Sequence, residues 1–366
     1  MSKKLKLLIF DVLFTLFQVI SVFAMTEDIS FFGPENRGYG STYTLSIKRD
    51  KKALRNEYFQ IEDHPSVSPS HGFFNDETAY TYTLGNKKIP LSSTLNDQIK
   101  LNYSTFAIAN LTLDSYRKSC GALGIEVSPC VKLIPFYEGC KQAERNAFYR
   151  RTGRRGGEGE INFCFSQGFT PARIFDVVSH EVGHAILDAL QPNYHKKMGS
   201  HPVGAFHEAF GDLSSFFASI RLASIHAVSP SSKGKRIASM IALEEEVCLA
   251  PGLSGEGTCL LRKESPDLCE DHRNSVPFRS FFLRCMNAEL KRNSTLGRSE
   301  KKSAEEIVDF FQALLVHTAR NVPDFESLYD LSQKMIGFIK PSPTSTLMRK
   351  ELKKLRSDLE RCTFCK

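Results

Sequence analysis

Hydrophobic patterning divides the chain into two regimes. Between residues 25 and 170, short runs alternate apolar and polar side chains, as in Thr78-Ala79-Tyr80-Thr81-Tyr82-Thr83-Leu84. The same stretch is rich in Phe, Tyr, Thr, Ser and Gly, which predicts mainly strands and turns. From residue 171 onward, apolar positions recur at helical spacing. Thr170 and Pro171 open one helix, as a cap and as a residue whose missing N–H costs nothing there. Ile174, Val177, Val178, Val182, Ala185, Ile186 and Leu190 form its apolar face, and Pro192 ends it. Phe206, Phe210, Leu213, Phe217 and Ile220 mark a second helix, and Ser303 with Glu306 reads as a capping box ahead of Ile307, Phe310 and Leu314. Leu352, Leu355 and Leu359 mark a final amphipathic helix. The expected fold class is α+β, with a β-rich region or short pro-segment over 25–100, a lobe over 101–200 and a helical lobe over 201–366.

The helix over 171–191 carries chemistry. It contains His180-Glu181-Val182-Gly183-His184, whose two histidines, four residues apart, project from one helical face and can close on one metal ion. The second helix carries Glu208 and, one turn later, Asp212. Two neutral imidazoles on a divalent zinc favour an anionic third ligand, so Glu208 is expected to complete the set. Asp212 is placed to accept a hydrogen bond from the free ring nitrogen of a ligating histidine. Glu181 is then a base and not a ligand. Read blandly, these are a core histidine pair and a solvated acidic face, but that reading makes the whole constellation a coincidence.

The motif and its surroundings resemble the thermolysin family of zinc metallopeptidases. Asp176-Val177-Val178-Ser179-His180-Glu181 resembles the entry to that family's central helix, and Asn146-Ala147-Phe148-Tyr149 is similar to its edge strand. His272-Arg273-Asn274-Ser275 resembles the segment carrying its second catalytic histidine, with Asp267 where the family has an orienting aspartate. The resemblance runs from about residue 100 to 290. It implies a two-lobe fold with zinc between the lobes, held by His180, His184 and Glu208, and peptide-bond hydrolysis by water activated at the zinc. Glu181 would be the general base, while His272 and Tyr194 would stabilise the oxyanion, with His195 competing for the place of Tyr194. Asn146, Ala147 and Arg262 would hold substrate, and Asp212 and Asp267 would orient the histidines. The family's paired calcium site uses acidic residues after the glutamate ligand; residues 213 to 243 contain no Asp or Glu, so that double calcium site is expected to be absent. A zinc-binding adhesion or binding module of the same fold, without catalysis, is the rival, and the intact Glu181 argues against it.

Composition adds a compartment. The first 24 residues begin with Lys3, Lys4 and Lys6, continue through a largely apolar run and end in Val22-Phe23-Ala24, which predicts a cleaved secretory signal and a secreted or periplasmic protein. Their removal lowers the formal charge from +7 to about +5, a mild excess. The basic run Arg150 to Gly157 links the edge strand to Ile161-Asn162-Phe163-Cys164-Phe165 and reads as a hairpin tip, so no nucleic-acid partner is expected. Protein or peptide substrate, a monomeric state and no stable membrane association after signal cleavage are expected. Ten cysteines in an exported chain predict disulfides, with pairing left open. Asn102, Asn110 and Asn293 stand in glycosylation acceptor patterns.

Overall fold

A computed structural model describes residues 24–32, 42–50, 53–61, 81–84, 87–90, 93–140, 146–165, 170–197, 200–226, 233–235, 237–241, 271–297 and 300–361. Strands β1 (Ala24–Phe32) and β2 (Thr42–Asp50) pair antiparallel, as do β4 (Thr81–Leu84) and β5 (Lys87–Pro90). The larger sheet has the order β3 (Phe59–Ile61), β6 (Cys130–Tyr137), β8 (Glu158–Cys164), β7 (Ala147–Arg151). Its first three strands run parallel, and β7 closes it as an antiparallel edge, Ala147 opposite Phe163 and Arg151 opposite Gly159. The hairpin expected between the edge strand and its neighbour is therefore present. Two of its arginines are engaged in the sheet and helix beside it, Arg150 with Glu160 and Arg151 with Asp188.

The helices are α1 (Ser93–Ala122), α2 (Phe175–Leu190), the short α3 (Pro192–Lys196), α4 (His201–Ile225), α5 (Asp271–Thr295), α6 (Glu300–Asn321), α7 (Leu328–Gly337) and α8 (Pro343–Arg361). The α+β class holds, but a 30-residue helix stands where strands and turns were expected. The physical reason is that α1 is buried on nearly all sides between residues 99 and 120, so it lacks an amphipathic stripe. Its Thr and Ser residues, which favour other conformations, are reconciled with the helix by bonding its own carbonyls: Thr105 Oγ1 donates to Leu101 O and Ser115 Oγ to Thr112 O. The expected boundary near residue 100 falls inside this helix. Helix α6 likewise begins at Glu300, three residues before the expected Ser303 cap, because Glu300-Lys301-Lys302 are themselves good helix formers.

Thr170 caps as expected, accepting from Ala172 N at 3.2 Å, but what it caps is a 3-10 turn, Pro171–Arg173, and α2 follows from Phe175. The core runs through α1, α2, α4 and α5, with Phe206 edge-on to Phe278 and Tyr116 stacked on Phe210. One disulfide joins Cys140 to Cys164; Cys120 and Cys285 are buried thiols and Cys130 an exposed one. Burial pushes the Cys120 thiol up to about 12. Cys248, Cys259, Cys269, Cys362 and Cys365 lie outside the described residues, as does the expected signal through residue 23. The acceptor patterns are not in exposed loops: Asn102 and Asn293 are buried, and Asn110 is half-buried against Asn56. No helix among the described residues is long and apolar enough to cross a membrane.

Candidate metal centre

Two glycines set the distance between the helices that carry the site. A Cβ on Gly183 of α2 would stand 3.0 Å from Gly211 Cα of α4, and a Cβ on Gly211 would stand 2.8 Å from His180 Cε1 and Nδ1. Only glycine at both positions lets the helices approach this closely. That approach carries Glu208 to the histidines. Its Oε2 lies 3.1 Å from His180 Nε2 and its Oε1 3.7 Å from His184 Nε2, while the two imidazole rings stand nearly perpendicular with centroids 4.6 Å apart.

His180, Glu181 and His184, all buried, also offer ligand atoms within 4.8 Å of one another. Two carboxylates thus stand near the histidine pair. Glu208 faces both Nε2 atoms across the helix interface, whereas Glu181 follows His180 directly along α2 and is the carboxylate that groups with both histidines within 4.8 Å. A divalent metal fits this donor set of two imidazoles and a carboxylate, the composition that suits zinc and several other transition ions.

Behind the ligands, His180 Nδ1 lies 3.0 Å from Asp212 Oδ1, and Asp212 Oδ2 accepts from Arg279 Nη1 of α5. Burial pushes the His180 imidazole down, but its bonds to Asp212 and Glu208 outweigh that and hold it well above the ordinary range. Burial also opposes charge on Asp212, and the Arg279 guanidinium followed by His180 brings its carboxyl below the usual value. An ionised Asp212 fixes the proton on Nδ1; without a metal Nε2 also carries a proton, shared with Glu208, and a metal at this nitrogen would displace it. Arg279 was not among the residues anticipated from sequence. Its signal was there, seven residues after His272 and so on the same face of one helix. Nε and Nη2 of Arg279 are buried without a partner among the described residues.

The remaining anticipated residues divide three ways. Ala147 lies buried on the edge strand with Asn146 exposed just before it, and the strand is fastened to the end of α2. There Asp188, fully buried, accepts from Arg151 Nε at 2.9 Å, Tyr149 Oη at 2.9 Å and Gly157 N at 2.7 Å. Gly157 has φ +79°, a conformation that glycine adopts without strain, and this turns its N–H onto the carboxylate.

Tyr194 stands beyond His207, its ring 6.5 Å from that imidazole. It is fully buried against Phe206 and Phe325, and its hydroxyl donates to the Val322 carbonyl, so in this structure it packs as a core residue. Its neighbour His195 is half-buried, its ring 6.5 Å from that of Tyr149. Arg262 and Asp267 lie outside the described residues; His272 lies in the first turn of α5, and its side chain is also outside them.

His207 flanks the histidine pair, its ring 5.6 Å from that of His184, and burial pushes it down to about 4. Where the resemblance placed calcium-binding acids, α4 presents buried serines, and Ser215 Oγ donates to the Asp176 carbonyl at 2.6 Å. No protein-family model matches the sequence, and comparison with curated proteins finds no match either.

Proposed function

We propose that the protein is a secreted zinc-dependent endopeptidase with a two-lobe, thermolysin-like cleft. The observation that carries this reading is the convergence of Glu208 on the Nε2 atoms of both His180 and His184, with Glu181 buried beside them. When bound, zinc acidifies a water molecule and polarises a peptide carbonyl. His180, His184 and Glu208 hold it, and Asp212 and Arg279 fix the first of these in the required tautomer.

Glu181 takes the proton of the attacking water and passes it to the leaving amine. Its burial at 5 % exposure places it beside the histidines and away from bulk water, where a general base must stand. Asn146 and Ala147, at the start of the edge strand, receive the substrate as an added strand. His272 donates a hydrogen bond to the developing oxyanion, stabilisation whose loss typically costs about 10²–10³ in rate.

The test is Glu181→Gln in the full chain. Zinc content by mass spectrometry should stay at the parent level, while chelator-sensitive cleavage of casein should fall by about 10²–10⁴. Retained zinc with retained cleavage would remove Glu181 from the mechanism, and absence of chelator-sensitive cleavage in the parent would remove the peptidase.

A further inference from the structure

A second cleft, of about 1110 Å³, opens where strand β2 and residues 53–58 meet α1 and the C-terminal end of α4. Arg221, on its wall, follows Glu208 by 13 residues along α4, so the cleft lies about 20 Å along the helix from the candidate metal centre, at 1.5 Å per residue. Five cations line it, Lys48, Arg49, Arg55, Arg117 and Arg221, against three carboxylates, Asp50, Glu57 and Asp114. Arg49 turns inward onto backbone carbonyls at Asp50 and Ala53.

Three of the others are oriented in advance and still reach solvent. Arg55 gives Nε and Nη2 to Asp50 Oδ2 at 3.3 and 3.1 Å, and Arg221 gives Nε to Asp114 Oδ2 at 2.8 Å. Arg117 lies 4.4 Å from the centroid of the Tyr58 ring and 3.9 Å from Glu57 Oε1. Their side chains remain 52 %, 43 % and 47 % exposed respectively.

A guanidinium has five N–H donors, so a carboxylate on one edge orients the group and leaves donors for a second anion. Held groups lose less entropy on binding than free ones, which is the condition for a built anion site as opposed to a solvated basic face. The apolar walls, Leu45, Ile47 and Ile225 among them, suit a ligand with aliphatic parts as well as charge.

We propose that this cleft binds an acidic peptide segment, with Arg55, Arg117 and Arg221 each receiving a carboxylate. The binding itself is independent of the peptidase reading. If that reading also holds, the cleft anchors substrates whose acidic stretch lies at least about six residues from the scissile bond, since an extended chain spans about 3.3–3.6 Å per residue; this extension rests on the preceding section.

The experiment is fluorescence anisotropy of a labelled octapeptide of alternating Glu and Leu, titrated with the full chain, with a Lys-Leu peptide as its counterpart. Binding of the Glu peptide alone, weakened at least tenfold by Arg117→Glu and by Arg55→Gln with Arg221→Gln, is the expected result. Arg117 is half-exposed and outside the core, so its variant should keep the parent melting temperature and separates lost binding from lost folding. Equal binding of the two peptides, or unchanged affinity in Arg117→Glu, would overturn the proposal. So would displacement of the peptide by inorganic phosphate at equal concentration, which would mark a simple oxyanion site. Because cleavage is not measured, failure here leaves the peptidase reading untouched, and failure of that reading leaves this one.

Discussion

Gly211→Ala tests whether the close crossing of α2 and α4 is what assembles the metal ligands. The added Cβ would stand 2.8 Å from His180 Cε1 and Nδ1 and 2.9 Å from Nε2, about 0.6 Å inside the 3.4 Å at which ordinary contact begins. The ring cannot tilt away freely, because Asp212 holds one nitrogen at 3.0 Å and Glu208 faces the other at 3.1 Å. A shift of about 0.6 Å along either direction takes one of those contacts beyond hydrogen-bonding range. Loss of an orienting partner typically lowers metal affinity about 10–100-fold, and overpacking of this kind costs about 1–3 kcal/mol of stability.

Competition against a chromophoric zinc chelator measures the first quantity, and urea unfolding of the metal-free protein the second. Gly121→Ala is the control: no heavy atom lies within 4 Å of its added Cβ, and alanine there should leave affinity unchanged and stability equal or slightly raised. Zinc affinity in Gly211→Ala within about twofold of the parent, with unchanged unfolding, would refute the argument that helix proximity builds the site.

Glu208→Ala should bind zinc at least about 100-fold more weakly, read by the same competition; parent-like affinity would assign the third ligand to Glu181 or elsewhere. Asp188→Asn leaves Arg151, 12 % exposed, without its buried carboxylate and should destabilise the chain by about 3–5 kcal/mol in urea unfolding, with less than about 1 kcal/mol speaking against the hairpin anchor. His207, pushed down to about 4 from an ordinary 6.5, binds its proton in the unfolded chain first. The stability it contributes is therefore full above about pH 6.5 and lost as pH falls toward 4, to a total of about 3 kcal/mol. The unfolding free energy of His207→Gln should vary less than the parent's between pH 7 and 4.5, and an identical pH dependence would show that the imidazole does not carry the charge change.

The sequence made the ligand geometry legible because a helix converts a spacing of four into a shared face, and His180, His184, Glu208 and Asp212 all depend on that rule. Tyr194 faces the core for a related reason. A position counted along the chain says nothing about which way a residue faces after a break, and Pro192 begins a new short helix that turns the tyrosine into the core. The spacing of Arg279 from His272 marks a helix face but not its partner, because Asp212 is 67 residues away in sequence. Helix α1 was hidden by its burial, since periodicity reports the boundary between core and solvent and a helix inside the core has none.

The C-terminal end of α2 is finished by residues far along the chain. Arg320 donates to the Leu190 carbonyl at 2.9 Å, Gln191 Nε2 reaches Arg320 O, and the Tyr194 hydroxyl reaches Val322 O, across separations of 128 to 130 residues. During synthesis both histidines therefore leave the ribosome well before the segment that completes their helix. At 5–20 residues per second the interval is roughly 7–26 s. Throughout it the nascent chain offers a histidine pair and two glutamates with no finished scaffold around them, so the geometry of the candidate site is complete only after α6 has docked.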